Sequence, residues 1–267
     1  MKLLQFYKNG VPALGIKTDK GIVDVSANRC VPKTMLELCQ KGNIKKLESL
    51  DGPIIDEKDI KYAPVITGME KILCVGLNYR KHAIDAGIPI PEKPTLFCKF
   101  ANALAACGDT IKCPKDAVEI DYEAELVYII GADGKPFAVT CGNDLSVREW
   151  QTMTSQWIIG KSQDQFGPIG PYAVTVDCIN HKDLAIGSRV NGETKQASRT
   201  SDMIFDIDEV LEFLDGKMTL KPGDIIFMGT PSGTMLEHKK DNPVWLKPGD
   251  VVEIEIEGIG ALKNQFE

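Results

Sequence analysis

Residues 119–132 read Glu-Ile-Asp-Tyr-Glu-Ala-Glu-Leu-Val-Tyr-Ile-Ile-Gly-Ala, the pattern of one long strand. Side chains alternate faces along a strand, so Asp121, Glu123 and Glu125 point one way. Ile120, Tyr122, Ala124 and Leu126 point the other. The acidic face turns apolar at Val127 and Ile129. Three carboxylates therefore approach a region that excludes water, where unpaired charge is costly. A divalent cation relieves that cost, and oxygen donors suit Mg²⁺, Mn²⁺ or Ca²⁺. A solvated strand face is the competing explanation.

The flanking segments repeat the strand signal. The runs at 72–79 and 96–100 are apolar. Val190-Asn191-Gly192-Glu193 marks a hairpin, because Asn-Gly suits the two positive-φ positions of a type I′ turn. Ile207, Val210, Leu211 and Leu214 keep helical spacing, with Asp206 and Glu209 as a capping box and Gly216 as the stop. Leu-Lys-Pro-Gly-Asp occurs at 220–224 and again at 246–250, each time before a strand. Upstream, residues 1–25 look like a small meander, 34–50 like two short helices, and 51–68 like a Pro/Gly/Asp-rich linker. The expected class is α+β, mostly β. A small N-terminal module (1–65) precedes one large catalytic-type domain (70–267).

Composition narrows the function. The chain has 267 residues, 43% apolar and 26% charged, ample for a sizeable core. Its net charge of −7 repels phosphate backbones and argues against a nucleic-acid partner. The longest apolar run, 126–132, is too short to span a bilayer, and the N-terminal stretch meets Lys8 and Asn9 before an export signal can form. Eight cysteines show no Cys-x-x-Cys spacing. Most read as small buried hydrophobes in a reducing, cytoplasmic setting.

Further candidates lie along the chain. Asp144 comes after the strand-like Phe137 to Cys141 and adds a third acid at a strand end. Ser146 can cap the next helix, with Glu149 completing a capping box. Arg148 and Gln151, one turn apart on that helix, share a face, and Arg suits a carboxylate or enolate oxygen. The three histidines are His82, His181 and His238, too few for a histidine-built zinc site. His82 has Asp85 three residues on, so a helix there lets the carboxylate orient the imidazole as a general base. A surface ion pair is the alternative. Lys161 sits between an apolar run and a Gly/Pro-rich run, the setting of a buried ammonium. Lys99 has a similar setting and an open role. The Gly-rich loop at 228–233 exposes backbone N–H groups at a strand end, without P-loop spacing.

The order of these motifs is more specific than any one of them. CVGLNYRKHAIDAG (74–87), LFCKF (96–100), DYEAELVYIIG (121–131), GNDLSVREWQ (142–151) and GKSQDQFGPIGPY (160–172) come first. VNGE with TSDMIF (190–205), KPGDIIFMGTPSG (221–233) and WLKPGDVVEIEIEGIG (245–260) come after them. Together they resemble the fumarylacetoacetate hydrolase superfamily. The resemblance implies a mixed β-sandwich roll as the C-terminal domain, a small N-terminal α/β module, and a homodimer. It implies a Mg²⁺ or Mn²⁺ site on Glu123, Glu125 and Asp144, with Lys161 catalytic. Arg148, Gln151, Tyr79 and Thr230 are the substrate-contact candidates. The family's His-x-x-Glu pair maps onto His82 and Asp85, one methylene short, and the family's helix between two strands is replaced by 132–135.

The expected chemistry is stabilisation of a metal-chelated enolate of a 2-oxo or diketo acid. Hydrolysis of a C–C bond in an acylpyruvate-like substrate comes first. The alternatives are decarboxylation or isomerisation of a hydroxymuconate-type dicarboxylate, a ureidoglycolate lyase-like reaction, and a non-catalytic ligand-binding relative.

Overall fold

The strand Ala124–Ile130 runs through the interior of a large mixed sheet, between Pro136–Asn143 and Ile225–Phe227. In the computed structural model all residues are described except 30, 43, 48, 49, 51, 86 and 242 and the side chains of 239–241. Every residue of Ala124–Ile130 is buried because each face meets its own core. Ala124, Leu126, Tyr128 and Ile130 pack with Ile186, Ile254, Leu262 and the helix residues Ile207 and Val210. Val127 and Ile129 pack with Leu3, Leu14, Met35 and Leu38 from the chain's beginning. A strand buried on both faces reads as a continuous apolar run, and Leu126 to Ile130 form such a run directly after Glu125.

The N-terminal strands extend this sheet: Lys2–Lys8 pairs antiparallel with Gly167–Thr175. Val11–Thr18, Gly21–Asp24 and the short Ile54–Ile55 continue outward from it. The stretch 51–68 is therefore more than a linker. Ile54–Ile55 adds a strand, and Ala63, Val65 and Ile66 are buried; Asp51 lies outside the described residues. At the other edge stand Ile72–Gly76, parallel to Ile225–Phe227, and Thr95–Lys99. A second sheet holds Glu193–Arg199, Ala185–Val190, Val251–Ile256, Gly260–Phe266 and Thr110–Ile111. The fold is α+β and mostly β, as expected.

Several local expectations hold. Asn191 and Gly192 have φ of 52° and 84°, joining the predicted hairpin. The helix is Ile207–Leu214, with the Asp206–Glu209 capping box formed. Both Leu-Lys-Pro-Gly-Asp turns close the same way, Asp224 accepting from Lys221 N–H and Asp250 from Lys247 N–H. The cysteine expectation holds only in part: Cys39, Cys74 and Cys141 are buried, but Cys98, Cys107 and Cys113 only partly so, and Cys178 is exposed; Cys30 lies outside the described residues.

Three expectations fail, each near the acidic cluster. Residues 119–132 do not form one strand: Ile120–Asp121 pairs with Ser146–Val147, and Ala124–Ile130 joins the large sheet. The strand at 72–79 ends at Gly76, because Leu77 adopts φ 55° and turns the chain. Ser146 is not a helix cap. It lies in a strand and donates to Asp144 O, while Glu149 accepts from Val118 and Glu119 N–H. The helix Arg148–Gln151 is a single turn without a side-chain cap.

Gly142 faces Glu125 across the sheet, and a Cβ there would sit 2.4 Å from Val127 Cγ2 and 2.6 Å from Phe227 Cε1. Gly142→Ala is expected to cost about 1–3 kcal/mol through overpacking. Urea unfolding should show a lower midpoint at unchanged slope. An unchanged midpoint would mean that the two side chains give way freely.

Candidate metal centre and active site

The break between the two strands puts the acids together. Glu123 N–H donates to Asn143 Oδ1 at 3.0 Å, and Asp144 N–H donates to Glu123 O at 3.0 Å. Ala124 N–H donates to Gln196 Oε1 at 3.0 Å. Side chains thus replace ladder partners, so the backbone stays satisfied while the strand bends. Glu123, Glu125 and Asp144 are all buried, and each offers an oxygen within 4.8 Å of the others'.

Four buried carboxylates and three buried cations share this region. Lys161 Nζ bridges Glu123 Oε2 at 2.7 Å and Asp144 Oδ2 at 2.8 Å. Lys99 Nζ lies 2.6 Å from Asp144 Oδ1 and also donates to the carbonyls of Leu145 and Phe166. Arg148 contacts Asp121 Oδ2 through Nε at 2.8 Å, Glu123 Oε1 at 2.6 Å and Gln151 Oε1 at 2.9 Å. Lys161 reaches the cluster because its one-turn helix, Ile158–Lys161, lies against Arg148–Gln151. A Cβ on Gly160 would meet Gln151 N at 2.4 Å.

Burial works against the charge on Glu123, but Lys161 and Arg148 outweigh it and hold its pKa far below the ordinary value. Burial likewise opposes the charge on Lys161, and Asp144 and Glu123 overcome it. Glu125 is the exception. It has no cation bonded to it among the described residues and accepts Gly229 N–H at 2.7 Å. Burial, then the nearby Asp144 and Glu123 charges, push its pKa well above the carboxylate range. Four carboxylates face three cations, so an ionised Glu125 would leave one negative charge unbalanced. Three clustered carboxylate donors with a charge deficit at one of them fit a hard divalent cation.

His82 completes the cavity, but not with the partner its sequence neighbourhood offers. Its Nδ1 bonds to Glu237, and Glu237 Oε2 accepts from Ser232 Oγ and Gly233 N–H, both at 2.8 Å. Asp85 instead pairs with Lys81 and accepts from Ser232 Oγ at 2.5 Å. On the helix Arg80–Asp85, His82 is buried while the Asp85 side chain stays partly in solvent. The expected His82–Asp85 pair is thus replaced by His82–Glu237, with Asp85 one hydroxyl further out. Burial would raise the Glu237 pKa, yet the bond to His82 and Gly233 N–H hold it below the usual value. Asp121 fixes that arm, accepting Met235 and Leu236 N–H at 3.0 Å each.

A cavity of about 190 Å³ opens between these groups. His82, Glu123, Glu125, Asp144, Arg148, Gln151, Lys161 and Thr230 all line it. All three nitrogens of Arg148 are engaged by protein groups, so what it presents to a ligand is mainly charge. Tyr79 is not among the lining residues. It is buried beneath, bridges to Met203, and its hydroxyl has no partner among the described residues. Glu237 had no sequence signal beyond residue type; the apolar setting of Lys99 and the strand face of Asp121 were visible, but not their partners.

The chain matches the family model described as fumarylacetoacetate (FAA) hydrolase C-terminal over residues 71–267. It belongs to the fumarylacetoacetate hydrolase family. It is 35% identical over 99% of its length to the mitochondrial oxaloacetate tautomerase FAHD2A of Bos taurus, covering 91% of that protein. Among solved structures, a fumarylacetoacetate hydrolase from Exiguobacterium antarcticum is 29% identical with a TM-score of 0.86, covering 100% of this chain and 99% of that one. A fumarylpyruvate hydrolase from Pseudomonas aeruginosa, in complex with Mn²⁺ and pyruvate, is 30% identical with a TM-score of 0.66. That match covers 75% of this chain and 90% of the other. Members of this family are enzymes that act on small acids, and this chain is one of them.

In the metal-free protein the raised pKa keeps a proton on folded Glu125 at pH values where the unfolded chain has lost it. Metal-free stability contributed by this group therefore falls as pH rises above the ordinary carboxylate value. Glu125→Gln mimics the protonated state and keeps an acceptor for Gly229 N–H. It should melt close to the metal-free parent and lose the rise in Tm that Mg²⁺ gives the parent. A full Mg²⁺-dependent rise in this variant would remove Glu125 from the metal site.

Proposed function

We propose that the enzyme moves a proton between carbon and oxygen of a short 2-oxo dicarboxylate, interconverting the keto and enol forms of oxaloacetate or a close analogue. The observation that supports this most is the His82–Glu237 pair, buried and facing the acid–cation cluster across one small cavity. Glu123, Glu125 and Asp144 would hold Mg²⁺ or Mn²⁺, which when bound would chelate the 2-oxo acid and stabilise its enolate. Lys161 adds positive charge where negative charge develops on oxygen. Glu237 holds the imidazole through Nδ1 and so orients the ring. In enolisation His82 takes the proton from the carbon next to the carbonyl and gives it to the enolate oxygen; in the reverse direction it takes the enol proton and returns it to that carbon, so no proton is gained or lost overall.

Two considerations put this ahead of the C–C hydrolysis expected from sequence. The tautomerase relative matches nearly the whole chain, and proton transfer needs no water molecule between base and substrate. Hydrolysis of an acylpyruvate is the second reading. It is favoured by the relative that holds Mn²⁺ and pyruvate, since the same base can deprotonate water.

The experiment measures enol-oxaloacetate loss and acylpyruvate cleavage side by side at fixed Mg²⁺. Tautomerisation should dominate, and His82→Ala should lower its kcat on the order of 10²–10⁴-fold. Efficient acylpyruvate cleavage without tautomerisation would instead establish the hydrolase. Full tautomerase activity in His82→Ala would leave the base elsewhere.

A further inference from the structure

Gln196 lies in the strand Glu193–Arg199 of the second sheet, away from every motif weighed for chemistry, and is buried. Three of its four recorded bonds go to the segments that carry the site, and the fourth comes from Ser188 on the neighbouring strand. Its Oε1 accepts from Ala124 N–H at 3.0 Å and from Ser188 Oγ at 2.9 Å. Its Nε2 donates to Thr230 Oγ1 at 2.8 Å and to Pro231 O at 2.7 Å. Ala124 stands between the two metal-site glutamates, and Thr230 lines the cavity. The orientation of this amide is chemically forced. A backbone N–H can only donate and a carbonyl can only accept, so oxygen must face Ala124 and nitrogen must face Pro231.

That orientation fixes the polarity of Thr230. Its hydroxyl oxygen is occupied as an acceptor of the Gln196 N–H. Its single proton has no acceptor among the described residues. We propose that Gln196 is a positioning residue that locks Thr230 as a hydrogen-bond donor into the cavity, selecting a carboxylate or enolate oxygen at that subsite. The lock also ties the loop carrying Thr230 to Ala124, the residue between Glu123 and Glu125, so the donor and these carboxylates hold one spacing. This rests on the substrate class proposed above, a 2-oxo acid.

The test is a double-mutant cycle read by the binding of oxalate, an analogue of pyruvate enolate, to the Mg²⁺-loaded protein. Gln196→Glu places an acceptor opposite Thr230 and draws its proton away from the cavity. Oxalate affinity should fall roughly tenfold, the scale of one hydrogen bond to a charged group. In a Thr230→Val background the same substitution should change affinity less than about twofold, because the lock has nothing left to act on. Gln196→Met repeats the cycle without adding a charge and serves if Gln196→Glu does not fold. Equal losses in both backgrounds would overturn the proposal and make Gln196 a structural residue only. Wild-type affinity in Gln196→Glu would overturn it as well. Oxalate binding with the predicted coupling, in a protein that leaves oxaloacetate unchanged, would sink the tautomerase reading alone.

Discussion

The structure depends on closing an electrostatic circuit in a place that water does not reach. Asp121, Glu123, Glu125 and Asp144 face Lys99, Arg148 and Lys161, and all seven are buried. Leaving any one charge unpaired there costs several kcal/mol, so each must be positioned by backbone that has no other freedom. The interruption at residues 122–123, the one-turn helix Arg148–Gln151 and the contact of Gly160 with Gln151 all serve that positioning. Such a cluster favours one arrangement over others more than it adds net stability, since an apolar core of the same volume would hold at least as well. The one group left without a cation among the described residues, Glu125, is where a divalent ion would complete the balance.

Charge balance also connects the two halves of the chemistry. Arg148 bonds Glu123 on one side and Asp121 on the other. Asp121 holds the amides of Met235 and Leu236, and the adjacent Glu237 reaches His82. The acidic triad and the His82–Glu237 pair are thus built on one connected hydrogen-bond network at a fixed separation. A divalent ion bound there with Glu125 ionised would leave the cluster with one positive charge, which suits an anionic acid. Ser232 Oγ lies within hydrogen-bond distance of both Asp85 and Glu237, and its single proton serves one carboxylate at a time.

Elements governed by near neighbours were legible in the sequence. The Asn191–Gly192 hairpin, the Asp206–Glu209 capping box and the paired Leu-Lys-Pro-Gly-Asp turns depend on residues within five positions of each other. The alternation in 119–132 also survived, because Ile120, Tyr122, Ala124 and Leu126 do share a core opposite Val127 and Ile129. What failed there was continuity. Asn143 and Gln196 take the amides of Glu123 and Ala124, and both partners are too distant in sequence for any local pattern to contain them.

The sequence by itself singled out residues that the structure gathers around one cavity: an acidic strand face, a third acid at a strand end, a lysine in apolar surroundings and a histidine after a buried strand. Only the tertiary structure decided their partners. His82 takes Glu237, 155 residues away, rather than Asp85 three residues away. A helix turn can place Asp85 near His82, but His82 lies on the buried side of Arg80–Asp85, and the carboxylate waiting there belongs to the segment that Asp121 holds in place. Lys99 and Arg148 were decided in the same way, drawn inward by buried carboxylates that need cations more than a surface does. Spacing along the chain records what can meet within a few residues; desolvation and charge pairing across the fold settle what does.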